Sequence, residues 1–182
     1  MLYFAYGSNM SLRRMRHRVP SAHPVTTATL MAHRLAFRKV GRDGSAKCDI
    51  APGLHDVDKV HGVVYRMDPQ HRGALDLAEG LGNGYEVKNV ELFSDDQIID
   101  AFTYYATHTD SGLQPYAWYL RHVLHGAREH GLPTHYVALI AAVEAIPGAA
   151  VTVWTSMPAR AASSLTTVEA ASRSTNSSIA TE

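Results

Sequence analysis

The chain runs to 182 residues, and its 17 Lys and Arg are offset by 17 Asp and Glu, so it has no net charge with which to hold nucleic acid or an anionic membrane surface. One cysteine, Cys48, excludes an internal disulfide and a thiolate zinc site. With 46% apolar and 19% charged residues, the composition is that of one ordinary folded domain with a short appendage. The opening MLYFAYGSNM lacks the basic stretch and small-residue cleavage site of a secretory leader, and apolar runs such as 136–146 fall short of a bilayer span. A reduced, soluble, cytoplasmic protein is expected.

In chain order, residues 2–6 alternate bulky side chains and meet Gly7-Ser8-Asn9, after which Met10, Leu12, Met15 and Val19 recur at helical spacing among four arginines. That reads as strand, tight turn and short helix. Strands are predicted over 29–39, 47–51, 60–67, 85–93 and 97–107, enough for a barrel or a strongly curled sheet. Between the third and fourth of these lies a helix with Asp68 as N-cap, Pro69 at its first position and Gly80 at its end. Pro115 opens a second helix whose apolar stripe is Tyr116, Tyr119, Leu120, Val123, Leu124 and Ala127. Thr134 caps a third that buries Tyr136, Leu139, Ile140, Val143 and Ile146 and stops at Pro147-Gly148; the two make an αα-hairpin. A last strand is predicted over 150–155. The segment 156–182, rich in Ser, Thr and Ala and free of aromatic residues, buries too little surface to offset its ordering entropy and is expected to be a flexible tail beyond a domain spanning 1–155.

Two places carry chemistry. Tyr6-Gly7-Ser8-Asn9 runs from a strand end into a helix N-terminus, where unpaired N–H groups and the helix dipole make an anion receptor, and where Gly7 lets a ligand approach the backbone. A plain turn capped by Asn9 or Ser11 is the competing reading, and the Gly-Lys-Ser/Thr ending of a phosphate loop is absent. At Ala78-Glu79-Gly80 a carboxylate closes a helix, where the negative end of the dipole and partial burial should raise its pKa toward neutrality, as suits a general base that later returns its proton. A solvent-exposed glutamate before a capping glycine is the alternative there. His122 and His125 have metal-ligand spacing but no carboxylate partner in a recognisable pattern. Cys48 reads as a buried inert thiol, and Gly80-Leu81-Gly82-Asn83-Gly84 as a mobile loop beside Glu79.

Together, Tyr3-Phe4-Ala5-Tyr6-Gly7-Ser8-Asn9-Met10, Val60-His61-Gly62-Val63-Val64-Tyr65, Leu75-Asp76-Leu77-Ala78-Glu79-Gly80 and Gly126-Ala127-Arg128-Glu129-His130-Gly131-Leu132-Pro133 with Tyr136 resemble the γ-glutamylcyclotransferase family, in order from residue 1 to about 147. The resemblance implies an α+β fold, a small mixed β-barrel with packed helices and a ligand cavity at its mouth. It implies a cofactor-independent enzyme that converts a γ-glutamyl amino acid or amide into 5-oxoproline and a free amine, without a metal. Glu79 falls on the family's catalytic glutamate, and Tyr6, Gly7, Ser8, Asn9, Tyr85 and Tyr119 on its substrate-holding positions. The glycine loop before Tyr85 is one residue shorter than the family pattern, and His61 stands where relatives often carry a large aromatic. Asn9 stands where glutathione-specific relatives usually carry Leu, which favours the wider γ-glutamyl group. The expected partner is a small γ-glutamyl substrate, with no nucleic acid or membrane, and a homodimer is compatible with the hairpin. Two other readings of the same barrel stay open: a non-catalytic binding or interaction module, and an enzyme that strips a γ-glutamyl protecting group from a biosynthetic product.

Overall fold

The computed structural model describes residues 1–55, 57–95 and 97–148; the strand predicted over 150–155 and the tail from 156 lie outside them. Among the described residues seven strands are formed: β1 (Leu2–Ala5), β2 (His23–Met31), β3 (His33–Val40), β4 (Ala46–Pro52), β5 (Lys59–Arg66), β6 (Tyr85–Ser94) and β7 (Gln97–Ala106). With them go four helices: α1 (Leu12–Arg18), α2 (Arg72–Glu79), α3 (Ala117–Glu129) and α4 (Thr134–Ala141). Five strands close into a mixed barrel in the order β1-β5-β2-β6-β7, and β3 and β4 form a separate hairpin. Every barrel pairing is antiparallel except the closing one, where β1 runs parallel to β7 with Tyr3 opposite Phe102. β5 lies between β1 and β2 and reads as a near-continuous apolar run, because Val60, Val63, Val64 and Tyr65 are all fully enclosed.

The single strand expected over 29–39 is two strands joined by a turn at Ala32, which takes φ 53°. The turn holds no Gly, Pro or Asn, so it left no mark in the sequence, and β2 begins earlier than expected, at His23, with a register shift between Pro24 and Thr26. Asp68 does cap, accepting from Gln70 N, but it caps a 3-10 turn (Pro69–His71) that precedes α2. Pro133, not Thr134, occupies the cap position of α4. That helix stops at Ala141, short of Pro147-Gly148, and Leu139 on it and Ile146 beyond it are exposed rather than buried. The chain after it runs back to the start of α3, where Ala117 N donates to Ile146 O at 2.9 Å and Ile146 N to Pro115 O at 3.0 Å. A helix-initial N–H is thereby satisfied by backbone instead of by a cap, and α3 begins two residues after Pro115.

Two contacts bring the remaining elements to the barrel mouth. α3 packs on the 3-10 turn Ser8–Met10, and a Cβ at Gly126 would lie 2.4 Å from Ser11 N, so only glycine permits this approach. The β3–β4 hairpin is held by Asp49, almost wholly buried, whose carboxylate accepts from Ala106 N and from Arg38 Nε, each at 2.8 Å.

Candidate active site

α2 ends at Gly80, which takes the left-handed conformation at φ 75° and returns its N–H to Asp76 O at 2.9 Å. Glu79 is therefore the last helical residue, and its side chain is only 15% exposed, which removes the solvent-exposed alternative. Its Oε1 accepts from Asn9 Nδ2 at 2.9 Å and forms an ion pair with Arg18 Nη1 from α1. Arg18 Nη1 also donates to Asn9 Oδ1 at 2.8 Å, and Asn9 Nδ2 to Tyr3 Oη at 3.1 Å. Asn9 thus links the carboxylate and the guanidinium, fixing the orientation of both.

The loop that supplies Asn9 leaves β1 through Tyr6, whose hydroxyl donates to Tyr104 O at 2.7 Å. Met10 N closes the 3-10 turn on Gly7 O at 3.0 Å, and among the described residues the N–H groups of Ser8 and Asn9 find no acceptor. At Gly7 a Cβ would sit 3.0 Å from Cys48 Cβ and 3.4 Å from Tyr119 Oη, so its bareness lets β4 and α3 close on the loop. Tyr119 Oη accepts from Cys48 N at 3.0 Å, and Tyr85 Oη donates to Cys48 O, which pins the hairpin to the rest of the site through both backbone polar groups of one residue. Burial raises the phenols of Tyr6, Tyr85 and Tyr119 well above the ordinary value, so each stays protonated at neutral pH.

The structure brings all seven expected residues together. Tyr6, Gly7, Ser8, Asn9, Glu79, Tyr85 and Tyr119 line a recess of about 20 Å³, and four of them also line an adjoining cavity of about 240 Å³. That volume is below the roughly 300–1,000 Å³ of sites for drug-sized ligands. The larger cavity has a cationic wall that sequence reasoning did not assign: Arg14, Arg18, Lys39, Arg42 and Lys47 face Glu79 and Asp43. Arg18 pairs with Glu79 and Lys47 with Asp43 at 2.8 Å, while Arg14 Nε donates to Ser8 Oγ at 3.1 Å. The arginine-rich face of α1 was the signal for Arg14 and Arg18. Nothing local points to Lys39 or Arg42, which arrive on a hairpin far off in sequence.

The Gly80–Gly84 loop forms a hydrogen-bonded turn, Asn83 N to Gly80 O at 2.8 Å and Gly82 N to Tyr85 O at 2.9 Å, and contributes Gly80 and Asn83 to the cavity. Cys48 is buried in the wall of the recess, its thiol pushed up to about 12 mainly by burial, as befits an inert group. His122 and His125 take no part, and no metal-holding cluster of His, Cys, Asp and Glu occurs among the described residues. His61 lies away from the site, edge-on to Tyr136 at 4.8 Å with Nδ1 3.0 Å from Thr29 Oγ1.

The barrel mouth thus sets the largely enclosed Glu79 carboxylate against a bare backbone turn, and the chain that builds it is similar to known proteins. Residues 59–140 match the AIG2-like family. Curated proteins named γ-glutamylcyclotransferase from Homo sapiens and Mus musculus are each 33% identical over 152 residues, 79% of this chain and 78% of theirs. A solved structure named γ-glutamyl cyclotransferase superposes with a TM-score of 0.75 at 28% identity, covering 88% of this chain and 94% of that one. The chain belongs to the γ-glutamylcyclotransferase family. Among the described residues, no helix is long and apolar enough to cross a membrane.

Proposed function

We propose that the protein is a γ-glutamylcyclotransferase that releases 5-oxoproline and a free amine from a γ-glutamyl amino acid, with Glu79 as base and then acid. The observation that carries the reading is the Glu79 carboxylate, largely enclosed, facing the cavity and hydrogen-bonded at 2.9 Å to the loop residue Asn9. In a γ-glutamyl amide the α-amine and the γ-carbonyl belong to one molecule. Glu79 takes a proton from the α-ammonium, the freed nitrogen attacks the γ-carbon, and a five-membered lactam forms. The ring nitrogen sheds its second proton, the amide C–N bond breaks, and Glu79 relays the two protons in turn to the leaving nitrogen, which departs as an ammonium. One carboxyl group serves both transfers, and no water is consumed.

The surroundings favour each step. The cationic wall repels an ammonium, which shifts the substrate's α-amine toward its nucleophilic form. Ser8 and Asn9 N–H groups, with Arg14 beside Ser8, offer donors to the α-carboxylate or to the developing oxyanion. The tyrosines, held protonated by burial, leave Glu79 as the base and wall the folded substrate. The test is incubation with γ-glutamyl amino acids, glutathione included, with mass detection of products. Release of 5-oxoproline is expected; glutamate in its place would mean hydrolysis, and binding without either product would leave a non-catalytic module.

A further inference from the structure

Lys39 is only 6% exposed, its side chain lines the cavity, and among the described residues its Nζ has no hydrogen-bonding or acidic partner. Its ammonium sits 4.9 Å over the Tyr85 ring and 3.5 Å from the point where a Cβ of Gly84 would stand. Arg42 also lacks an acidic partner among the described residues, and its Nη2 lies 3.8 Å from the corresponding point at Gly80. Two cations therefore flank the loop that follows Glu79, while the acids of the cavity are engaged elsewhere, Glu79 by Arg18 and Asp43 by Lys47. Two cations without acidic partners on one cavity wall give it a positive potential that favours an anion brought from outside. Burial lowers the Lys39 pKa, with repulsion from Arg42 and Lys47 acting in the same direction against the attraction of Glu79, and an arriving carboxylate relieves that repulsion.

The ligand has the matching group. In a γ-glutamyl amino acid the α-carboxylate belongs to the half that becomes 5-oxoproline, and a second carboxylate belongs to the leaving amino acid. We infer that Lys39 and Arg42 form a second anion subsite that holds the carboxylate of the leaving amino acid, so that the protein selects γ-glutamyl amino acids over γ-glutamyl alkylamines. The inference rests on the cyclotransferase reading and adds to it the chemistry of the leaving group. Lys39 and Arg42 are specificity residues in this scheme; the proton transfers remain with Glu79.

The matched pair γ-glutamyl-alanine and γ-glutamyl-ethylamide differs only by that carboxylate, and the readout is the ratio of their kcat/KM values for 5-oxoproline release. Wild-type protein is expected to favour the alanine compound by roughly 10–100-fold, the range of a hydrogen bond to a charged group. Lys39→Met, which keeps the apolar stem, should bring the ratio toward one, and Lys39→Arg should keep most of it. A purely structural role would lower both efficiencies alike and leave the ratio unmoved, which overturns the inference. So does a wild-type ratio near one, and in both cases the cyclotransferase reading stands. Absence of 5-oxoproline with both compounds overturns that reading, and the inference with it.

Discussion

Replacing Gly126 by alanine would ordinarily strengthen a helix, by about 1 kcal/mol. Here the sign reverses, because the added Cβ would lie 2.4 Å from Ser11 N and 2.5 Å from both the carbonyl carbon and the Cβ of Met10. Two of these atoms are backbone and yield only if the turn carrying Ser8 and Asn9 moves. Overpacking of this kind costs about 1–3 kcal/mol, and with backbone as the obstacle the upper end applies. Subtracting the helical gain leaves a net loss of roughly 2 kcal/mol, or a Tm lowered by roughly 4–8 °C in a chain of this size. Gly73 in α2 is the control, since a Cβ there meets nothing within 4 Å, and Gly73→Ala should raise Tm slightly. Thermal unfolding followed by circular dichroism measures both. Stabilisation of the two variants alike would refute the argument that α3 seats the loop by close backbone approach.

Two further predictions concern titration. Burial, reinforced by Lys59 and His135, holds His61 below its ordinary value of 6.5, so the native state binds this proton less readily than the unfolded chain. Its contribution to stability is complete above pH 6.5 and is lost as pH falls through the lowered native value; His61→Gln should flatten the acid-side decline of Tm, and an unchanged decline would contradict this. Cys48, raised to about 12 chiefly by burial, holds almost no thiolate near neutrality, so iodoacetamide should label it only after denaturation; rapid labelling of native protein would contradict that.

The helix end at Gly80 and the strand exit at Gly7 were legible because both use residues with a local conformational or capping preference, and the structure sets Asn9 2.9 Å from Glu79 although 70 positions separate them. The apolar stripe of α3 likewise announced its buried face through Tyr119, Leu120, Val123 and Ala127. What stayed hidden was non-local or unmarked. The turn at Ala32 carries no turn residue, so β2 and β3 read as one strand. The early stop of α4 follows from backbone pairing of Ile146 with the start of α3, which no local pattern encodes. Arg18 as the partner of Glu79, and Lys39 beside Tyr85, depend on how α1 and the β3–β4 hairpin dock at the barrel mouth.

The proton-transfer role of Glu79 is tested most directly by Glu79→Gln, which keeps the size and the polar oxygen facing Asn9 but cannot take up the α-ammonium proton. Purified variant and wild-type protein are compared for 5-oxoproline release from one γ-glutamyl amino acid, with circular dichroism to show that the fold is kept. A fall of about 10²–10⁴-fold in kcat is expected for loss of a general base. Turnover by the folded variant within a few-fold of wild type would contradict the role assigned to Glu79.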